Sequence, residues 1–510
     1  MRHLKILVVV LLSVFVILGC QVSDSEITTL ATSTSGSTSA LTTQSSIGST
    51  SSSTTTTETL SSTFTSTTIT TELNSFPIFE GTYGFASLSI TNRSLEESGY
   101  YQVSTEVEFL DALIALDVSV IEITSDLDLG SIYVEAKLVE AGKNLADYDE
   151  VYRPHNHQPQ LHPLLLATGI GQITLVGFDH LMIYSKYGST IKHVSFAIDD
   201  SSDIVFRNLH LAELWEWDEI NFGTYKVNDW DYFVIEKSTG IWLDHLVFEQ
   251  AYDGIVDIKE ESANVTLSWS RLVFEPTDFI NAQIDYLEAN MSEYSFYKSL
   301  RDAGIAKEDL ATIASFQKKG FNFGNSTDGE GFESITVTFH HLLVKNLQDR
   351  FPRVRKGDIH LYQVILDNEE LYNFRLRVSN PNLSTVNQGI VSTEGGAVLM
   401  ENSIFRYVST PIKNHQEDDP DTKYTGKYKV VNSELKTGIR TYFGSSDDSF
   451  TLWVHSGISE VQPFVWRNYE EIPYEYQLED IYFLEDTFTE FPPGCITLAG
   501  FDWLKINIQD

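Results

Sequence analysis

Carboxylates recur at short intervals in the segment DWDYFVIEKSTGIWLDHLVFEQAYDGIVDI. Asp229 and Asp231 are two residues apart, and Asp253 and Asp257 are four residues apart. In an extended strand, either spacing places both members of a pair on one face. Four like charges around one groove repel each other unless a cation lies among them, and Ca²⁺ takes about six to eight oxygen ligands. The spacing therefore predicts a calcium site, with a solvated acidic face as the alternative.

Basic residues concentrate in a second stretch, QDRFPRVRKGD. Arg350 and Arg355 lie five residues apart across Pro352, whose ring fixes the local backbone. Lys318 and Lys319 form another basic group upstream. Guanidinium and ammonium groups hold ligand carboxylates, so this pattern predicts a site for an acidic ligand. A structural cluster of ion pairs with the flanking aspartates is the alternative.

The overall composition limits the partners that such a site can serve. The chain has 34 basic and 72 acidic residues, a formal net charge of -38. Nucleic acid requires a basic face, which this composition does not readily supply, so we expect no nucleic-acid partner. The 510 residues, 42% of them hydrophobic, can bury a large core, and we expect a monomer.

The first twenty residues have the pattern of an export signal. A basic start precedes an apolar run from Ile6 to Leu18, and Gly19 stands immediately before Cys20. The run is short for a membrane span. Leu-Gly-Cys resembles a bacterial lipoprotein processing box, which predicts that a lipidated Cys20 anchors the exported protein to the outer face of the cell membrane. An ordinary signal peptide cut elsewhere is the alternative.

Residues 21–75 consist largely of Ser and Thr, without periodic apolar residues. Such a segment cannot bury enough apolar surface to fold, so we predict a disordered linker. It would connect the anchor at Cys20 to one folded domain over residues 76–510.

Strand patterns dominate that domain after one helix, which the sequence TEVEFLDALIAL predicts with a cap at Thr105. Runs such as QITLVGF and DIHLYQVIL are apolar and β-branched, and each ends in a polar turn. Ile241 and Val265 are 24 residues apart, as are Ile335 and Ile359. A repeat of this length predicts a parallel β-helix with one coil per repeat. On the pattern alone, a β-sandwich or a propeller is the alternative.

Four segments resemble, in motif and in order, the pectate lyases of polysaccharide lyase family 1. They are IWLDH (241–245), DGIVD (253–257), KGFNFG (319–324) and RFPRVRKGDIHLY (350–362). The family carries a WIDH-type strand, a DGxxD turn, a Lys-x4-Gly segment and an RxPRVRxGxxHxY stretch. Weaker similarity extends over residues 100–485. The resemblance implies an all-β fold, a right-handed parallel β-helix with a short N-terminal capping helix.

The resemblance also implies a calcium ligand set. Asp231, Asp253 and Asp257 match ligands of the family, and Asp229 matches an additional ligand that only some members have. Their retention favours a de-esterified substrate.

Other roles follow from the same resemblance. Arg350 is similar to the catalytic base, whereas Lys319 and Arg355 are similar to residues that bind the substrate. Asp244 and His245 resemble a pair that supports the groove. An arginine acts as a base only in its neutral form, so we expect an alkaline optimum.

The chain departs from the family pattern around the lysine. Gln317 and Lys318 stand where the family has His-Asp, so Lys318 is an alternative to Lys319. An insertion at residues 276–315 precedes them, and helical periodicity in YKSLRDAGIAKEDLATIAS predicts a helical wall or lid beside the groove.

The implied reaction is calcium-dependent β-elimination on polygalacturonate, which yields 4,5-unsaturated oligogalacturonides. Removal of the C5 proton places negative charge on the substrate carboxylate, which nearby cations stabilise. A surface β-helix that binds acidic polysaccharide without cutting it, and a lyase for partly esterified pectin, are the alternatives.

Overall fold

Each coil of the chain from Gly171 onward adds strands to stacked parallel sheets. The computed structural model describes residues 81–93, 98–148, 151–154, 161–378, 380, 383, 385–416, 421–437, 440–447, 454–455, 463–497 and 507–508. The signal peptide and the linker predicted for residues 1–75 lie outside these ranges. Almost all strand pairs are parallel, which confirms the predicted β-helix over the sandwich and the propeller.

Short strands and helices precede the first coil in the chain, and the predicted capping helix is among them. They are β1 (Gly81–Thr82), β2 (Tyr100–Val103), α1 (Glu106–Leu113), β3 (Val120–Ile123), β4 (Leu127–Asp128), α2 (Ser131–Glu140), β5 (Tyr152–Pro154) and α3 (Pro163–Leu166). Helix α1 begins as predicted, because the Thr105 side chain accepts a hydrogen bond from the Glu108 amide at 3.3 Å. The Glu108 carboxylate accepts from the amide of Ser104 at 2.8 Å, one residue earlier than a standard capping box.

The coils follow in chain order. The first four contain β6 (Gly171–Val176), β7 (Asp179–Tyr184), β8 (Thr190–Lys192), β9 (Val194–Asp199), β10 (Ser202–Arg207), β11 (His210–Ala212), β12 (Phe233–Glu236), β13 (Thr239–Asp244), β14 (Val247–Phe248), β15 (Val256–Ile258), β16 (Ala263–Ser268) and β17 (Arg271–Val273). Three helices come next: α4 (Asp278–Ala289), α5 (Ser295–Asp302) and α6 (Lys307–Ser315). These helices form the predicted helical insertion.

The remaining coils contain β18 (Phe321–Phe323), β19 (Thr336–His340), β20 (Leu343–Lys345), β21 (Arg353–Arg355), β22 (Asp358–Tyr362), β23 (Ile365–Asp367), α7 (Glu369–Arg377), β24 (Gln388–Thr393), β25 (Ala397–Glu401), β26 (Ile404–Arg406), β27 (Thr410–Lys413) and β28 (Lys427–Thr437). The chain ends with β29 (Arg440–Asp447), β30 (Val454–His455), α8 (Leu484–Glu490) and β31 (Asn507–Ile508). None of the helices in the described ranges is long and apolar enough to cross a bilayer.

The first strands of the coils (β6, β9, β12, β15, β18, β21, β24, β27 and β30) form one sheet, here called sheet 1. The second strands of the coils, from β7 to β25, form sheet 2. The third strands, from β8 to β26, pair with one another in the same way, and the long strand β28 pairs with both β25 and β26. Antiparallel pairing is found at the ends, between β5 and β6 and between β28 and β29.

The core is a stack of apolar side chains from successive coils. Ile241 pairs with Val265, so the first 24-residue spacing is the true register. Ile359 instead pairs with Val337, so the spacing from Ile335 is not a register, and that coil is shorter than predicted. All five side chains are buried.

Residues 463–497 run along the outside of sheet 2. The Tyr476 hydroxyl donates to Glu401 at 2.6 Å. Far away in sequence, the Ile496 amide donates to the Asn208 side chain at 2.7 Å, and the Asn208 amide group donates back to the Ile496 carbonyl at 2.8 Å. This C-terminal segment therefore covers the face of sheet 2 that points away from the core.

Candidate active site

Three of the four predicted acidic residues meet at sheet 1, where β12 and β15 begin. Oxygen atoms of Asp229, Asp231 and Asp253 all lie within 4.8 Å of one another. Asp229 and Asp231 belong to the loop before β12, and Asp253 to the turn before β15. Asp257 lies within β15 and is not one of the three carboxylates whose oxygens lie this close together. The carboxylates come together because neighbouring coils stack.

Gly254 permits the close approach of these two segments. Its amide donates to Oδ1 of Asp231 at 2.5 Å. A Cβ at this position would lie 2.5 Å from the same oxygen and 3.1 Å from the carbonyl oxygen of Gly320. A glycine in the DGIVD turn therefore holds the Asp231 carboxylate in place.

Burial and crowding make this cluster a poor site for bare carboxylates. Burial, and then repulsion by Asp257 and Asp229, raises the pKa of Asp231 well above its usual value. Burial also raises the pKa of Asp257 to about 6. A divalent cation among these oxygens would relieve both effects.

Lys319, rather than Lys318, points into the acidic cluster. The Lys319 ammonium forms an ion pair with Asp253 and donates to the carbonyl of Tyr225 at 3.1 Å. Burial, and then the positive charge of Arg350, lowers the pKa of Lys319 to about 8. The Lys318 ammonium instead donates to the carbonyl of Gly223, two residues before Tyr225 on the same loop.

Gln317 fixes the segment before these lysines. Its side chain donates to the carbonyls of Asp253 and Lys319, each at 2.8 Å, and accepts from the amide of Ala251 at 2.9 Å. The departure from the family's His-Asp at this position thus leaves the turn of Asp253 joined to the Lys319 backbone.

Arg350 lies on the next coil, beside Lys319. The amide of Phe321 donates to the Arg350 carbonyl at 2.9 Å, and the amide of Gly320 donates to the Asp349 carbonyl at 3.0 Å. Nε of Arg350 is buried and has no hydrogen-bond partner among the described residues. The positive charge of Arg350 acts on both Asp257 and Lys319. An arginine close to the cluster without an ion pair in the described structure is available to a ligand.

Arg355 is connected to the cluster through Asn322. Its Nη1 donates to Oδ1 of the Asn322 side chain at 3.4 Å, and Nδ2 of the same side chain donates to the Asp257 carboxylate at 3.2 Å. Nε of Arg355 lies 3.5 Å from Glu394, and the whole residue is only 6% exposed. Burial, and then the charge of Arg353, lowers the pKa of Arg355 to about 10. Arg355 is therefore held more deeply than Arg350 and Lys319.

Asp244 and His245 lie on sheet 2 and form a separate buried network. Asp244 accepts from Arg207 at 2.7 Å and from Ser268 at 2.6 Å, and it lies 2.8 Å from Nδ1 of His245. Although burial alone would raise the pKa of Asp244, His245 and Arg207 lower it to about 2. The pair supports the coils, as the resemblance implies, and does not join the acidic cluster.

The sequence interpretation missed three residues of this site. Gly254 and Asn322 were visible as parts of matched motifs, but neither carries a charge. Tyr225 contributes only a carbonyl group, which no pattern reveals. The one available signal was the asparagine between two phenylalanines in FNF, a polar residue in an otherwise apolar strand.

Comparisons with known proteins identify the family to which this chain belongs. A sequence profile described as pectate lyase matches residues 173–281 and 311–416. Pectate lyase B of Paenibacillus amylolyticus is 37% identical over 324 residues, which cover 60% of this chain and 80% of that protein. The chain belongs to the pectate lyase family. It is therefore an enzyme, a polysaccharide lyase.

Two other known proteins are similar to this pectate lyase. The solved structure of pectate lyase PelN from Paenibacillus sp. 0602 matches 84% of this chain and 98% of that one, with a TM-score of 0.76 and 33% identity. The pectate trisaccharide-lyase of Thermotoga maritima is 27% identical over 165 residues, 32% of this chain and 34% of that protein. The family profile leaves out residues 282–310, so most of the helical insertion lies outside it.

Proposed function

We propose that this pectate lyase cleaves de-esterified polygalacturonate by calcium-dependent β-elimination and releases 4,5-unsaturated oligogalacturonides. The observation that carries the proposal is the convergence of Asp229, Asp231 and Asp253 with Lys319, with Arg350 on the adjacent coil. Anionic groups for a metal and cationic groups for a polyanion thus occupy one surface of sheet 1.

The donor set fits a calcium ion. The ligands are carboxylate oxygens, as a hard cation requires, and they lie close enough to share one ion. Burial is the largest cause of the raised pKa values of Asp231 and Asp257, and repulsion from Asp229 adds to both, so a cation bound here would oppose both shifts. When bound, calcium supplies positive charge that stabilises a substrate carboxylate as it gains electron density.

The protein's own cations have distinct tasks in this proposal. Lys319 pairs with the carboxylate of the reacting sugar, and Arg350 accepts the proton from C5 as the oxygen on C4 departs. Arg355 binds the substrate in this proposal from a position that Asn322 and Glu394 fix.

We further propose that the enzyme is exported and anchored through a lipidated Cys20. Support comes from the sequence, namely the apolar run that ends in Leu-Gly-Cys. Replacement of Cys20 by serine should release the protein from the membrane fraction of an expressing bacterium. Membrane retention of the variant would contradict the anchor.

The catalytic proposal is tested by incubating the purified protein with polygalacturonate at about pH 9, with calcium and with a chelator, while the ultraviolet absorbance of the unsaturated product is followed. We expect calcium-dependent absorbance that Arg350→Ala abolishes. Arg375→Ala, at an exposed position on α7, is the matched control and should behave as the wild type. Calcium-dependent binding of the polymer without product would mean that the protein is a binder. Faster cleavage of partly esterified pectin would overturn the proposed substrate.

A further inference from the structure

A cavity of about 420 Å³ lies beside the candidate active site, between the loop before β12 and the helical insertion. Its walls include four aromatic residues, Trp217, Phe222, Tyr225 and Phe296, together with Thr224 and Ser299. Phe296 and Ser299 fall in the part of the chain that the family profile leaves out. The insertion therefore supplies part of the wall of this cavity.

Polar contacts hold the insertion firmly against the loop. Gln283 of α4 is fully buried, and its side chain donates to the Trp215 carbonyl at 3.0 Å and accepts from the Trp217 amide at 3.1 Å. Glu219 accepts from the Tyr297 amide at 3.1 Å, at the start of α5. The rings of Trp217 and Phe296 stack with centroids 5.7 Å apart. The cavity is thus a preformed pocket with a fixed wall.

One cation lines this pocket, and it is Lys318. Its ammonium donates to the Gly223 carbonyl and lies 5.3 Å from the centroid of the Tyr225 ring. No carboxylate lines the pocket among the described residues, although the chain carries 72 acidic residues. The negative charge of Asp218 acts on Lys318, but the Asp218 carboxylate accepts hydrogen bonds from the backbone amides of Asn221 and Tyr225. Burial lowers the pKa of Lys318 to about 8, as expected of an ammonium that lacks an anionic partner.

The pocket adjoins the candidate active site at Tyr225. Lys318 and Lys319 are consecutive, so their Cα atoms are about 3.8 Å apart. The same loop residue serves both, because the Tyr225 ring lies beneath Lys318 and its carbonyl accepts from Lys319. A polymer that places one sugar against Lys319 therefore has its neighbouring sugar within reach of this pocket.

We propose that the pocket is a subsite for a second uronate residue, whose carboxylate pairs with Lys318 and whose apolar sugar face packs on Phe222 and Trp217. The chemistry is complementary, because an ammonium and hydroxyl groups suit a carboxylate and sugar hydroxyls, and aromatic rings suit the C–H face of a sugar. The proposal rests on the proposed function, since it assumes that the polymer is an acidic polysaccharide.

The test compares Lys318→Met and Phe222→Ala with the wild type on polygalacturonate. Each variant should raise KM about tenfold while kcat changes about twofold or less, because the subsite binds the polymer away from the reacting bond. Lys298→Met is the matched control, since Lys298 lies on the outside of α5 in an ion pair with Asp302, and its KM should equal that of the wild type.

Two results would overturn the subsite. The first is wild-type KM in both variants when the wild type cleaves normally; Phe222 is 63% exposed, so its variant tests the pocket even if Lys318→Met fails to fold. The second result concerns a wild-type protein that does not cleave polygalacturonate. The proposed function then fails, and the subsite is tested by equilibrium binding of polygalacturonate to the wild type and to Phe222→Ala. Equal binding by the wild type and Phe222→Ala would overturn the subsite, whereas weaker binding by the variant would support it.

Discussion

Gly254→Ala tests the calcium site through its most crowded contact. The new methyl group would meet Oδ1 of Asp231 at 2.5 Å, and that oxygen now accepts the Gly254 amide hydrogen bond. The backbone of Gly254 lies outside the left-handed region, so alanine adds no backbone strain and the clash alone acts. Relief of the clash must move the Asp231 carboxylate or the turn, and overpacking of this kind costs about 1–3 kcal/mol of stability.

The larger effect should be on calcium. Loss of a group that orients a metal ligand lowers metal affinity by about 10–100-fold, or about 1.4–2.8 kcal/mol. Calcium titration by calorimetry measures this directly, and the uronate assay should show kcat/KM falling at limiting calcium and recovering at high calcium. Gly171→Ala is the matched control, because its Cβ would meet the Leu129 carbonyl at 2.2 Å, far from the cluster in sequence. A folded Gly254→Ala enzyme with wild-type calcium affinity would refute the assignment of Asp231 as a ligand.

Three further predictions follow from the site and its support. Arg350→Ala should lower kcat about 10²–10⁴-fold with unchanged calcium affinity, as measured by the uronate assay and calorimetry, and a parallel loss of both would contradict its role as base. Because the pKa of Asp257 is raised to about 6, the folded protein without calcium holds this proton more tightly than the unfolded chain, so stability falls as pH rises from about 4 to 6. Calcium should then raise Tm more at about pH 8 than at about pH 5, and an equal rise at both would contradict the ligand set. Asp244→Asn leaves Arg207 buried beside a neutral group and should cost about 3–5 kcal/mol in denaturant unfolding, with kcat of the folded enzyme retained; a stability equal to the wild type would refute the network.

Much of the fold could be predicted from periodicity alone, because stacked coils impose the same apolar requirement on every strand. Ile241 and Val265 share a register that their spacing reveals. The register of Ile359 could not be predicted, because it depends on how many residues the turns before β19 and β22 take up. A turn length changes the spacing without changing the apolar pattern.

The candidate site was predictable in its charges and not in its geometry. Motif order supplied the aspartates and Arg350, but the choice between Lys318 and Lys319 was open, because both lie outside a regular strand and no periodicity indicates which ammonium meets Asp253. The carbonyls of Gly223 and Tyr225 decide it, and they lie more than ninety residues earlier in the chain. Burial of Arg355 likewise depends on Glu394, on another coil.

The C-terminal segment along sheet 2 also bears on how this protein unfolds. A stack of coils behaves as a one-dimensional array, in which each coil contacts only its neighbours and the ends can fray independently. Here the segment 463–497 forms hydrogen bonds with Asn208 on the turn after β10 and with Glu401 on β25, so one segment contacts coils that do not contact each other. Fraying of either end would also have to break the contacts that this segment makes there, which couples the ends more closely to the coils between them. Truncation within residues 463–497 should therefore broaden the denaturant transition.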